Sequence, residues 1–203
     1  MNSLLQLKPT TIIGDLGEYS LTLDSWKGFQ SRQGNYTSKD TDLPSDGKIK
    51  VIIRGVAVDY VKLYSQSQAS AIKYLIDNQT KVRDTLLTSL LNEYPKMKEI
   101  YEDNIPNISD INDYKDLIGL STLHVLDSEK DDIAYLGFEF GCNWDEEHGT
   151  GVVMHKDRII SIGQATEAFN LWVTYDDNGT ASEMEKKWND ENKVVNKPWW
   201  KFW

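Results

Sequence analysis

The fold is decided by residues 133–154, which read IAYLGFEFGCNWDEEHGTGVVM. Apolar residues occupy every second position over most of 133–144, which is the period of a β-strand with one buried face. A second apolar run, 150–154, follows a short acidic turn, so the stretch predicts a β-hairpin. Five side chains share the strand face that we expect to form the core: Leu136, Phe138, Phe140, Cys142 and Trp144.

Strand patterns continue on both sides of this hairpin. Residues 120–126 and 159–162 are short runs rich in β-branched residues, and a polar turn separates each run from the hairpin. Together they predict a four-strand antiparallel meander over about residues 118–163. Residues 19–23 and 48–54 predict two further strands near the N-terminus.

The hydrophobic period changes to that of a helix after Ser65. Apolar residues then recur at steps of three and four as far as Tyr94, which predicts an amphipathic helix. Ser65 and Gln68 have the spacing of a capping box. The polar pair Asp77-Asn78 leaves open whether the segment is one helix or two, and Pro95 predicts its end.

These patterns predict an α+β fold. An antiparallel sheet, which includes the C-terminal four-strand meander, packs against one or two amphipathic helices. We expect a single domain over residues 1–175, with its helical segment at about 65–103. Residues 176–203 are expected to form a polar turn, an exposed C-terminal helix and a tryptophan-rich tail that docks onto the domain or onto a protein partner.

Composition limits the classes of partner and compartment. The chain has 203 residues, with 32 acidic and 22 basic side chains and a net charge of −10, which argues against nucleic-acid binding and favours a basic protein partner. The single cysteine, Cys142, excludes an intramolecular disulfide. The N-terminus lacks the pattern of a secretory signal, and no apolar run approaches the roughly 18–20 residues that span a bilayer. We therefore expect a cytoplasmic protein without membrane contact.

The hairpin turn is the chain's candidate functional motif. Three consecutive carboxylates stand beside an imidazole and between an aromatic ring and two glycines, an arrangement that could order the turn, bind a partner, hold a metal or do acid–base chemistry. We interpret seven residues as a binding or structural motif: Trp144, Asp145, Glu146, Glu147, His148, Gly149 and Gly151. The weaker alternative is a metal site made by Asp145, Glu147 and His148.

Residues 137–152 resemble the signature of a bacterial family of unknown function that carries a W-D-x-E-H-G-x-G hairpin near the C-terminus. Trp144, Asp145, Glu147 and His148 occupy matching positions, as do the two glycines of the turn. The resemblance implies an N-terminal β segment followed by a helical stretch. That family is similar to polymorphic-toxin immunity proteins, which implies that the chain binds and blocks a partner, and it supplies no catalytic residues.

The spacing of the histidines disfavours a zinc centre. His148 and His155 are separated by one strand, or roughly 20 Å, and His124 belongs to another strand. Neither a P-loop nor a Gly-x-Ser-x-Gly element occurs in the sequence. We therefore expect no cofactor and no catalytic residue, and we interpret the chain as a non-enzymatic protein-binding module of immunity or regulatory type. The alternative is a metal-dependent hydrolase that uses residues 145–148.

Overall fold

A computed structural model describes residues 11–13, 16–32, 43–54 and 64–195. Within these ranges seven strands form one sheet, and their order in the sheet is their order along the chain. The strands are β1 (Thr11–Ile13), β2 (Leu16–Thr22), β3 (Lys48–Ile53), β4 (Ile118–Lys130), β5 (Ile133–Cys142), β6 (Thr150–His155) and β7 (Arg158–Gly163).

Neighbouring strands run antiparallel except β3 and β4, which are parallel. Two helices, α1 (Gln66–Asp77) and α2 (Gln79–Tyr101), lie in the connection between β3 and β4. A crossover of this length is what a parallel pair requires. Strands β4 to β7 form the predicted C-terminal meander, so the predicted α+β class is confirmed. The parallel pair of β3 and β4 departs from the expected antiparallel sheet.

The predicted helix start is confirmed, and of the two alternatives left open, one helix or two, the structure has two. The Ser65 side chain accepts a hydrogen bond from the Gln68 backbone N–H, and the Gln68 side chain accepts one from the Ser65 N–H. The break falls at Asn78. The predicted end at Pro95 is wrong, because α2 continues through this residue to Tyr101. Pro95 is exposed, and the helix beyond it packs Met97 and Tyr101 against the core.

Both helices cover one face of the sheet. The five side chains predicted for the core face of β5 are all buried, with Trp144 the most accessible at 5%. Four helical side chains of the same core cluster are also buried: Ile72, Leu75, Leu86 and Leu90. The main core therefore lies between the sheet and the helical pair.

The opposite face is covered by a 3-10 helix, Ala165–Phe169, which we call the covering turn, and by α3 (Leu171–Asn178). The covering turn packs closely because the sheet presents glycines to it. A Cβ on Gly137 would lie 1.6 Å from the Ala168 carbonyl oxygen, and a Cβ on Gly151 would lie 2.5 Å from that of Gln164.

The predicted polar turn at residues 176–179 is wrong. Residues 176–178 form the last turn of α3, and Gly179 ends the helix with a left-handed backbone at φ 82°. The predicted division between residues 175 and 176 therefore falls inside α3. The expected exposed helix is α4 (Ala181–Val195), and the tryptophans at 199, 200 and 203 lie outside the described residues.

Candidate functional site

The hairpin turn between β5 and β6 is rooted in the core by Trp144. Its ring meets the ring of Tyr114 edge-on, with centroids 6.3 Å apart, and Tyr114 is itself fully buried. The predicted burial of Trp144 is confirmed. The residue at which the turn begins is therefore held in the core and not in solvent.

Asp145 organises the turn. One of its carboxylate oxygens accepts a hydrogen bond from the His148 backbone N–H at 3.0 Å and lies 2.9 Å from the His148 ring atom Nδ1, which acts as the donor. The other oxygen accepts a hydrogen bond from the Tyr101 hydroxyl at 3.0 Å. The Asp145 side chain is only 10% exposed. It therefore joins the end of α2 to the hairpin.

Burial and hydrogen bonding suppress ionisation around this carboxylate. Burial raises the pKa of Tyr101 to about 12, and the hydrogen bond to Asp145 adds to the effect. Burial also raises the pKa of the Cys142 thiol to about 11, although a hydrogen bond from the Thr150 hydroxyl opposes the shift. Neither group ionises near neutral pH, so neither offers a nucleophile there.

The two glycines of the motif serve the backbone. Gly149 has a φ of 60°, a conformation that side-chain-bearing residues disfavour, and its N–H donates to the Asp145 carbonyl at 2.9 Å. The contact of Gly151 with the covering turn leaves no room for a Cβ. The His148 carbonyl accepts a hydrogen bond from the Ala165 N–H at 3.0 Å, so the hairpin turn and the covering turn hold each other.

The remaining side chains of the motif face solvent. Glu146 and Glu147 are exposed, and the His148 side chain is about half exposed. Asp145 and His148 meet, but Glu147 does not complete a ligand set with them. Throughout the ranges that the structure describes, no three histidine, cysteine, aspartate or glutamate side chains are grouped so as to hold a metal ion.

The other two histidines have partners of their own. His155 Nε2 lies 2.9 Å from the Lys130 carbonyl and 3.2 Å from the Ile133 carbonyl, where it braces the turn between β4 and β5. His124 Nε2 lies 2.5 Å from a carboxylate oxygen of Glu139, and both side chains are nearly buried.

The His124–Glu139 pair was not predicted from the sequence. Glu139 lies between Gly137 and Gly141 on one face of β5, with the covering turn over the first glycine and Arg32 over the second. The pattern Gly-x-Glu-x-Gly on a single strand face could have indicated a carboxylate between two closely packed segments. Its partner depends on strand register, since Gly137 pairs with His124 across β4 and β5.

Exposed carboxylates gather at the end of the molecule that carries the hairpin turn. Two segments contribute, 99–116 and 145–147, and we call them together the acidic end. Contacts between Tyr101 and Asp145 and between Tyr114 and Trp144 hold the segments side by side. The exposed acidic residues are Glu99, Glu102, Asp110, Asp113, Asp116, Glu146 and Glu147. Lys115 is the one exposed lysine in the two segments.

A family model described as a domain of unknown function (DUF6985) matches residues 17–169. The chain belongs to this family. The matched region runs from β2 to the end of the covering turn, so it includes the hairpin turn and the His124–Glu139 pair but neither α3 nor α4. No curated protein and no solved structure matches the chain. Among the helices described, none has the length and apolar character needed to cross a membrane.

Proposed function

We propose that this protein is a non-enzymatic binding module that captures a basic protein partner with its acidic end. One observation carries the proposal: two acidic segments that are about 30 residues or more apart in sequence lie together, joined by the hydrogen bond between Tyr101 and Asp145. A concentrated patch of one charge sign steers an oppositely charged partner and raises the rate of association.

The acidic end also has the other parts that a protein interface needs. Ile100 is 72% exposed, next to Tyr101, and offers an apolar contact among the carboxylates. Interfaces combine apolar contacts with a polar rim. Asp145 fixes the backbone of the turn without using Glu146 or Glu147, so both of these carboxylates are left for a partner. A preordered surface of this kind loses little conformational entropy on binding.

The form of binding that we propose is inhibitory. The resemblance of residues 137–152 to a family similar to polymorphic-toxin immunity proteins supports a role in which the acidic end covers and blocks a basic surface of the partner. We place this encounter in the cytoplasm, in keeping with the single cysteine, which fits a reducing compartment.

The test compares two charge-neutralised variants of the full chain. Glu146→Gln with Glu147→Gln removes two carboxylates from the acidic end. Glu183→Gln with Glu185→Gln removes two exposed carboxylates from α4 and is the matched control. Each is measured for binding to the purified basic proteins encoded by neighbouring genes, at low and at physiological salt.

We expect the first variant to weaken binding to one such protein by about tenfold, mainly through slower association, and the control to bind as the wild type does. Rising salt should narrow the difference, because these carboxylates are exposed. Equal losses in both variants, or binding that ignores salt and variant alike, would refute an interface at the acidic end.

The hydrolase alternative makes a different prediction for the same motif. Metal-dependent hydrolysis that disappears in His148→Gln, while the free energy of unfolding stays unchanged, would replace the binding proposal. We expect His148→Gln to have no effect on any such activity, since the histidine's ring serves the turn through Asp145.

A further inference from the structure

The described residues cover only part of the width of the sheet face opposite the helices. The covering turn packs on β5, β6 and β7, and α3 packs on β4 and β7. Strands β2 and β3 lie beyond this cover. Alternation along β3 points Lys48 and Lys50 to this open part of the face, and Lys50 pairs with Ser20 across β2.

A cleft of about 520 Å³ occupies the open part of the face, and small-molecule sites have volumes of about 300–1,000 Å³. Among the residues that the structure describes, three cationic side chains line it, Arg32, Lys48 and Lys50, together with one carboxylate, that of Glu18. The cleft is therefore basic although the chain as a whole carries a charge of −10. Both lysines are exposed, and neither ammonium group has an ion-pair partner among the residues described.

Arg32 is built into the wall of the cleft. It is 6% exposed, its Nε donates to the Gln30 side-chain oxygen at 2.9 Å, and one terminal nitrogen donates to the Asn143 side-chain oxygen at 2.7 Å. A Cβ on Gly141 would lie 2.3 Å from the Arg32 side chain, so the glycine makes room for it. The position of the guanidinium is thus set in advance, which lowers the entropic cost of binding at this wall.

Polar groups complete the lining. Ser20 lies beside Lys50 with an exposed hydroxyl that can donate, and Ser121 closes the inner side, where its hydroxyl donates to the Glu139 carbonyl at 2.9 Å. Fixed guanidinium and mobile ammonium groups around a concave polar surface are the chemistry that recognises phosphate and carboxylate oxygens.

We infer that this cleft binds a small molecule through a phosphate or carboxylate group, with Lys48 and Lys50 as the principal contacts. The cationic side chains of the cleft belong to neither segment of the acidic end and attract the opposite charge, so the inference does not depend on the proposed function.

The test is a titration of the full-length protein, followed by amide chemical shifts, with inorganic phosphate and, in a second series at matched ionic strength, with citrate. We expect saturable shifts at Ser20, Lys50 and Ser121 with at least one probe. Saturation by phosphate alone identifies a phosphoryl ligand, and saturation by citrate alone identifies a carboxylate ligand. Saturation with neither probe overturns the inference.

A matched pair of variants separates the cleft from general charge. Lys48→Gln with Lys50→Gln should raise the dissociation constant at least about tenfold. Lys186→Gln with Lys187→Gln, which removes the same charge from exposed positions on α4, should leave it unchanged. Equal weakening in both pairs would mean nonspecific screening and would overturn the site, even if the acidic end binds its partner as proposed.

Discussion

Asp145 and Asp177 each lie in an acidic run of the sequence, and the carboxylate of each accepts several hydrogen bonds. Asp145 accepts hydrogen bonds from the Tyr101 hydroxyl, the His148 backbone N–H and the His148 ring, so two of its three donors belong to a residue three positions away. Asp177, in the last turn of α3, accepts hydrogen bonds from Tyr135, from Lys130 and from both terminal nitrogens of Arg158. All three of these residues belong to strands that are distant in the sequence. Asp145 therefore orders a turn that is largely local, and Asp177 fastens a whole helix to the sheet.

The surroundings of the two carboxylates also differ in charge. The ion pair with Arg158, helped by hydrogen bonds from Tyr135 and Lys130, holds the pKa of Asp177 well below its ordinary value of 3.8. In the described part of the chain, no lysine or arginine is a hydrogen-bond partner of Asp145. An acidic run in a sequence thus does not disclose which carboxylate is structural, because the answer depends on donors that only the fold assembles.

The largest effect that we predict concerns the root of the hairpin. Trp144→Ala should lower the free energy of unfolding by about 3–5 kcal/mol, because the buried ring leaves a cavity beside Tyr114. Urea denaturation measures the loss. Trp188→Ala, at a ring that is 58% exposed, is the control and should cost less than about 0.5 kcal/mol. A similar cost at both positions would show that the turn is not anchored in the core.

Asp177→Ala should cost about 2–3 kcal/mol, because it removes the acceptor of several charge-assisted hydrogen bonds. The neighbouring exposed Asp176 provides the control, and its alanine variant should stay within about 0.5 kcal/mol of the wild type. If the two variants unfold alike in urea, α3 is not held by its ion pairs.

The lowered pKa of Asp177 predicts a dependence of stability on pH. A depressed folded pKa stabilises the protein above the unfolded value near 3.8, and that stabilisation is lost as the pH falls through the folded value. Wild type should therefore lose more unfolding free energy than Asp177→Ala between pH 5 and pH 2. Parallel losses in the two proteins would contradict the ion-pair explanation.

Asp145→Ala should cost less than Asp177→Ala, about 1–2 kcal/mol, since its side-chain donors are uncharged or half exposed. Glu146→Ala is its control and should stay within about 0.5 kcal/mol of the wild type. Equal stabilities of the two variants in urea would show that Asp145 contributes no more to the stability of the turn than an exposed carboxylate does.

Local sequence patterns were sufficient for most of the fold. Strand alternation in β5 and the spacing of Ser65 and Gln68 act between near neighbours, so they can be read from sequence alone. The hydrogen bonding between Asp145 and His148 is also local, because the acceptor and its donors are three residues apart.

The features that the sequence analysis missed depend on contacts between distant segments. The partner of Glu139 follows from the register between β4 and β5, and the role of Asp177 follows from the packing of α3 over that same sheet. Helix α2 continues past Pro95 because tertiary packing of its last turns outweighs the lost hydrogen bond. Arg32 in the wall of the basic cleft depends likewise on a glycine more than a hundred residues away.

Central to the proposed interface is that the Tyr101–Asp145 hydrogen bond joins α2 to the hairpin and so assembles the acidic end. A double-mutant cycle of Tyr101→Phe and Asp145→Ala, measured by urea unfolding, tests it directly. We predict a coupling energy of about 1 kcal/mol between the two sites. Effects that add within about 0.3 kcal/mol would contradict it.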